Sequence, residues 1–212
     1  MNTGVFITFE GGEGSGKSTQ IGQLARRLEG AGLSVRCLRE PGDTRSGEAI
    51  RAILLDPSSE GLDARAELLL YEAARAQLVA EVIEPALEAG EVVLCDRFYD
   101  SSTAYQGFGR QLPLDEVRAL NMAATGGLVP DRTLLLDLDP AEGVERATHG
   151  GADRLEGEDA SFHRRVREGF LAIASQEPQR VRVVDASGPI DEVAGRVAAA
   201  LKDLPQLAAA LG

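Results

Sequence analysis

The chain has 212 residues, 43% of them hydrophobic and 26% charged, and a formal net charge of −12. That length suits one domain with its own core, and the composition is that of a globular protein rather than a disordered one. The acidic excess argues against a general nucleic-acid binder. No apolar run reaches bilayer-spanning length and the N-terminus lacks a basic-then-apolar leader, so a cytoplasmic protein with neither nucleic acid nor membrane as partner is expected.

Apolar runs alternate with helical patterns along the chain. Val5 to Glu10 reads as a buried strand, and Lys17 to Gly30 as a helix with Ile21, Leu24, Ala25 and Leu28 at helical spacing. Ser34 to Arg39 is predicted as a strand and Gly47 to Leu55 as a helix. Asp63 to Ala89 carries one long helical pattern, with Leu68, Tyr71, Leu78, Val82 and Leu87 on or near one face and Gly90 as its stop. Glu91 to Asp96 is a strand, Leu114 to Thr125 a helix ended by Gly126-Gly127, and Arg132 to Asp137 a strand. Pro140 to Thr148 is a short helix, Ser161 to Ser175 a longer one, Val181 to Val184 a strand and Ile190 to Leu204 a final helix; the tail after Pro205 is a weak helix or a frayed end. Cys37 and Cys95 lie in apolar runs, and both are expected to be buried, reduced thiols. Nothing repeats and no linker divides the chain, so residues 1–212 are expected to form one domain. Apolar strands alternating with helices predict an α/β fold in three layers, a parallel sheet flanked by helices. In such sheets ligands gather at the carboxyl ends of the strands.

Three predicted strands empty charged groups onto that edge: Glu10-Gly11-Gly12-Glu13, Arg39-Glu40-Pro41-Gly42 and Asp96-Arg97-Phe98. The first continues into Gly11-x-x-x-x-Gly16-Lys17-Ser18, a complete phosphate-binding loop between a strand and an amphipathic helix. Its backbone N–H groups turn inward around phosphates, and the following helix adds partial positive charge. Lys17 reaches the β and γ phosphates of ATP and the Ser18 hydroxyl ligates Mg²⁺. Lys17 and Lys202 are the two lysines among 22 lysines and arginines, so lysine at position 17 stands out against an arginine default. The ATP site is expected to comprise Gly11, Gly12, Glu13, Gly14, Ser15, Gly16, Lys17, Ser18 and Thr19, with Asp96 as the second metal-side residue. A GTPase reading fails: the D-x-x-G spacing at Asp185–Gly188 comes too late, and no N-K-x-D follows. Arg97 beside Asp96 suggests a second anion, as in a small-molecule kinase.

At this point the chain resembles the bacterial thymidylate kinases, nucleoside monophosphate kinases of the P-loop NTPase fold. The resemblance rests on F-E-G-G-E-G-S-G-K-S-T at 9–19, R-E-P-G at 39–42, A-A-R-A-Q at 73–77, D-R-F-Y-D-S-S-T-A-Y-Q-G at 96–107 and D-R-L-E at 153–156, and runs from about Val5 to Val193. It implies transfer of the γ-phosphate of ATP to dTMP, with Mg²⁺ as cofactor, giving dTDP for dTTP synthesis. It implies a homodimer, to which the long helix would contribute. By position, Arg97 and Arg51 would hold the acceptor phosphate. Tyr71 would lie against the thymine ring and Arg75 would donate to its carbonyl. Ser102 and Gln106 would address the base's other polar edge, Tyr105 would pack beside the sugar, and Glu40 and Pro41 would form the pocket wall. Residues 146–159 read as a mobile lid, with Arg154 reaching the transferring phosphoryl group and Arg146 on the ATP side. Glu13, a carboxylate inside a phosphate loop, would face the acceptor, taking the sugar 3′-OH or orienting Arg97. Lys17, Arg97, Arg154 and Glu13 are thus the expected catalytic set.

Plainer alternatives remain at this stage. Tyr71 could be core, Arg51 and Arg75 solvated helix charges, Ser102 and Gln106 caps, and Arg154 a surface partner of Glu156 or Glu158. His149 and His163 lack partners at metal spacing and are expected at the surface. The same fold could phosphorylate another monophosphate or a deoxynucleoside, or bind nucleotide as a regulator without turning it over.

Overall fold

The computed structural model describes residues 4–59, 61–147, 154–155 and 157–212, the side chains of 144 and 147 excepted. Five strands form one sheet: β1 (Val5–Glu10), β2 (Val35–Arg39), β3 (Val92–Asp96), β4 (Arg132–Asp137) and β5 (Val181–Asp185), in the order β2-β3-β1-β4-β5. Every pairing is parallel. β1 lies in the middle and all six of its residues are buried, which is why it is apolar almost throughout. β2 is an edge strand and buries only Leu38. Cys37 therefore points to solvent, contrary to expectation, whereas Cys95 in β3 is buried.

Alternate residues of the strands feed opposite layers. Val5, Ile7 and Phe9 of β1, with Val92 and Leu94 of β3, pack against α1 (Lys17–Gly30) and, further along the chain, α9 (Ile190–Ala199) and α10 (Pro205–Leu211). Phe6, Val93 and Cys95 face the other way, onto the helical run that precedes β3. Each fully buried side chain of this size contributes about 1.5–3 kcal/mol. The tail that sequence left as weak or frayed is α10, with Leu207 and Leu211 buried and Arg27 donating to the Leu211 carbonyl at 2.6 Å. The helix before it stops at Ala199 rather than Leu204.

The remaining helices are α2 (Arg45–Leu55), α3 (Ala64–Leu78), α4 (Glu84–Glu88), α5 (Tyr99–Ser102), α6 (Leu114–Thr125), α7 (Pro140–Ala147) and α8 (Ala160–Gln176). Asp63 caps α3, accepting from Arg65 N at 2.9 Å and Ala66 N at 3.3 Å. The long helix predicted to Ala89 is α3 and α4 joined by a wide π turn at Val79–Ile83. Pro85 explains the break: it has no N–H to donate and its ring crowds the preceding turn, which the wider π spacing absorbs. A second π turn, Thr103–Gly109, extends α5. The first turn packs on the sheet with Phe6 and Val93, whereas the second follows β3 at the C-terminal edge of the sheet. There the chain leaves β1 toward one side and β3 toward the other, which opens the crevice that such sheets use for ligands.

Candidate active site

Residues 11–16 leave β1 and turn into α1. Lys17 is buried and folds over the loop, its Nζ 2.9 Å from the Gly12 carbonyl and 3.2 Å from that of Gly11. Burial, and then Arg97 nearby, lower its pKa, with Glu13 and Asp96 opposing. Ser15 Oγ donates to the Gly12 carbonyl at 2.8 Å. At Gly14, φ is +65°, and a Cβ there would run into the Gly143 carbonyl of α7. Gly143 in turn touches the Glu13 carbonyl. This glycine-to-glycine seat between the loop and α7 was not read from sequence, because glycine at 143 sits inside an ordinary helical pattern.

Ser18 Oγ donates to Asp96 Oδ2 at 2.6 Å, joining the start of α1 to the end of β3. A hydroxyl beside a carboxylate, facing a phosphate site, is a hard-oxygen donor pair that fits Mg²⁺, a metal that takes few protein ligands and completes its shell with phosphate and water. Gly14, Gly16, Lys17, Ser18 and Thr19 line a cavity of about 370 Å³, together with Asp96 and Arg97. Arg39 and Arg51 reach the same cavity; Arg39 had been noted in its motif without a role.

Arg97 separates this space from a second one. Its backbone is left-handed, with φ at +71°, and its N–H donates to the Phe9 carbonyl at 2.9 Å. The guanidinium donates to the Gly11 carbonyl at 3.0 Å and to Ser101 Oγ at 3.3 Å, pairs with Glu13 Oε1, and lies 5.1 Å from the centre of the Tyr105 ring. Tyr105 Oη donates to the same Glu13 oxygen at 3.0 Å. Burial opposes the Glu13 charge, yet Arg97 and then Lys17 outweigh it and hold the carboxyl down at about 2. The carboxylate thus neutralises a cation rather than confronting a phosphate.

The second cavity measures about 190 Å³. Glu13, Arg97, Tyr105 and Ser102 line one side, Glu40, Pro41 and Arg51 another, and Tyr71 and Gln106 the rest. Leu55, Ser101 and Leu155 complete it, none of them singled out by sequence. Arg51 Nη1 donates to the Pro41 carbonyl at 2.9 Å. Arg75, expected to touch the base, does not line this cavity. It is 1% exposed and stands one layer behind, donating to Glu40 Oε2 at 2.9 Å, Glu72 Oε1 at 2.6 Å and Ser102 Oγ at 3.0 Å. Two carboxylates crowd this one guanidinium out of water. Burial pushes Glu40 up to about 7, with Arg75 opposing and Glu72 adding to the rise.

Arg154 is a larger correction. It does not line the cavity at the phosphate-binding loop. Its Nη2 lies 2.6 Å from Glu67 Oε2 and its Nε donates to the Leu54 carbonyl at 2.9 Å. The buried Glu67 carboxylate on α3, unmarked in a helical stretch of sequence, captures it beside the second cavity. Arg146 lines neither cavity; it pairs with Glu142 and donates to the Ala186 carbonyl at 3.2 Å, which ties α7 to the loop after β5. His149, Asp153 and Glu156 lie outside the described residues. His163, expected at the surface, is half-buried on α8 and faces Gly12 and Glu13 from behind the loop.

Glu10, the first residue of the charged run at the end of β1, stands beneath the turn after β3. It is fully buried; its Oε1 accepts from Phe98 N at 2.8 Å, and its Oε2 accepts from Ser101 Oγ at 2.6 Å. It therefore caps α5 and anchors the turn that carries Arg97. Burial, reinforced by Asp100, pushes its carboxyl up to about 8.

A phosphate-binding loop, a hydroxyl–carboxylate pair beside it and a second pocket across a half-buried arginine define a P-loop nucleotide kinase. The comparisons narrow the class. A family model described as thymidylate kinase matches residues 9–197. The thymidylate kinase of Deinococcus radiodurans is 53% identical over 204 residues, covering 96% of this chain and 98% of that protein. That of Synechococcus sp. is 52% identical over 207 residues, covering 98% of both. The crystal structure of thymidylate kinase from Ehrlichia chaffeensis superposes with a TM-score of 0.78 at 34% identity, covering 93% of this chain and 98% of that one. The chain belongs to the thymidylate kinase family.

Proposed function

We propose that the chain transfers the γ-phosphoryl group of ATP to dTMP, giving ADP and dTDP, a step toward dTTP. One observation carries this reading: the ATP-side cavity and the acceptor-side cavity share Glu13, Glu40, Arg51 and Arg97, so two anions bound in them meet at the same two arginines. The acceptor is a phosphate monoester with a second pKa near 6, already nucleophilic at neutral pH. No general base is required. The barrier is electrostatic and positional, and pre-aligned cations lower it. Lys17 holds the β and γ phosphates of the donor. Ser18 and Asp96 would hold Mg²⁺, which when bound offsets charge on the triphosphate. Arg97, set by Glu13, Gly11 and Ser101, brings the acceptor phosphate into line, with Arg51 beside it. Tyr71 offers its ring face to the base, Ser102 and Gln106 its polar edge, and Tyr105 packs at the sugar. Arg75 acts from behind by holding Glu40 and Ser102.

The same reading takes residues 1–212 as one kinase domain acting in the cytoplasm as a homodimer. Ile53 of α2, Leu69 of α3 and Met122 of α6 support the dimer, being 48%, 48% and 44% exposed on helices that pack side by side. Among the described residues no helix is long and apolar enough to cross a membrane. A coupled ADP-release assay with Mg²⁺-ATP and a panel of acceptors tests the activity: thymidine, dTMP, dUMP, UMP, CMP, AMP and GMP. Turnover strongest with dTMP is expected. A stronger acceptor of another kind would discard the thymine assignments, and ATP binding without turnover would point to a regulator.

A further inference from the structure

The acceptor cavity ends against Gln106, which is 1% exposed. Gln106 Nε2 donates to Glu67 Oε1 at 2.7 Å. Glu67 has no exposed surface. Its oxygens also accept from Arg110 Nε at 3.3 Å and Nη2 at 3.2 Å, and Arg154 Nη2 lies 2.6 Å from Oε2. A carboxylate in such ion pairs offers acceptors only. A glutamine amide has two unlike ends, an oxygen that accepts and an NH₂ that donates. With Nε2 committed to Glu67, Oε1 is the end left for the cavity. The flipped amide would set two oxygens against each other in a dry site, and an unmet polar contact there is costly.

We propose that Glu67 is a specificity-determining positioning residue: it locks the Gln106 amide so that the cavity presents an acceptor to the N3 edge of the pyrimidine. The proposal rests on the reading of the acceptor as dTMP. Thymine carries an N–H at N3, which such an acceptor satisfies. Cytosine carries a bare nitrogen there, and the two lone pairs would face each other. A free glutamine would adapt to either base by turning its amide over. Arg110 and Arg154 hold Glu67 in place, and Arg110 Nη1 also donates to Glu158 at 2.5 Å. The lock is thereby fastened to the segment that leads into α8.

The test is Glu67→Gln, nearly isosteric, whose amide can meet Gln106 in either orientation. kcat/KM is measured for dTMP and dCMP in the wild type and the variant, with the thermal transition as the control for folding. The ratio of dTMP to dCMP efficiency is expected to fall roughly tenfold or more, the scale of one mispaired buried hydrogen bond. A folded variant that loses efficiency toward both acceptors in parallel, with the ratio unchanged, overturns the proposal and leaves Glu67 a structural residue. Should the single variant show no thermal transition, Glu67→Gln with Arg110→Gln and Arg154→Gln removes both stranded cations along with the anion and is judged by the same ratio. A wild type that prefers an acceptor other than dTMP fails the functional reading itself, and does so before any variant is made.

Discussion

Replacing Glu13 by Gln keeps the shape of the side chain and removes its charge. In the folded protein the carboxyl is lowered from 4.5 to about 2 by Arg97 and Lys17 against the cost of burial. A shift of that size corresponds to about 3 kcal/mol of net preference for the charged form. The side chain is 24% exposed, so solvent screens only part of it. A glutamine oxygen retains a weaker hydrogen bond to Arg97, which leaves a loss of about 2 kcal/mol in the alignment of that guanidinium. On the proposal that Arg97 aligns the acceptor phosphate, kcat/KM for dTMP is expected to fall roughly thirtyfold. Lys17 contacts the loop through backbone carbonyls and Ser15, not through the Glu13 side chain. The dissociation constant for Mg²⁺-ATP is therefore expected to stay within about threefold of wild type. Steady-state kinetics at saturating ATP and titration calorimetry with ATP separate the two. Unchanged acceptor efficiency, or an equal loss in ATP affinity, would refute the assignment of Glu13 to the acceptor side.

Other expectations follow from the same geometry. Glu10 and Glu40 have folded-state values raised to about 8 and about 7 from 4.5, so the folded chain keeps protons that the unfolded chain has released. Their contribution to stability is complete below pH 4.5 and lost as pH rises toward 8. Glu10→Gln should flatten the fall in urea midpoint between pH 5.5 and 8, and an unaltered slope would contradict the buried, protonated Glu10. Gly143→Ala drives a methyl group into the Glu13 carbonyl and should cost about 1–3 kcal/mol, read as a lower Tm; an unchanged Tm would deny the close seat of α7 on the loop. In the native protein Cys37 should react with a thiol reagent and Cys95 only on unfolding, and two equally fast thiols would contradict the burial of β3.

Much of the fold could be read because its signals are local. β1, α1, α6 and β4 have the boundaries that their apolar runs, glycines and prolines set. The π turns could not be read: Val79–Ile83 reflects Pro85 acting on the turn before it, and Thr103–Gly109 lies in a segment with no clear period. Cys37 was misplaced because an edge strand and a central one look alike over five residues. At the site, the loop and the D-R-F motif announced themselves by residue type. The partners did not. Glu67 that captures Arg154, Glu72 that helps bury Arg75, and Glu10 beneath Arg97 are ordinary glutamates until the fold removes them from water. Long-range pairing of this kind has no period and no motif.

The most direct measurement uses a bisubstrate ligand, adenosine and thymidine joined 5′ to 5′ through a polyphosphate chain long enough to span both cavities. Direct transfer across Arg97 predicts one molecule bound per chain by calorimetry, competing with both ATP and dTMP and weakened by Arg97→Ala more than either nucleotide alone. A ligand that displaces ATP but leaves dTMP bound would contradict a single shared site of transfer.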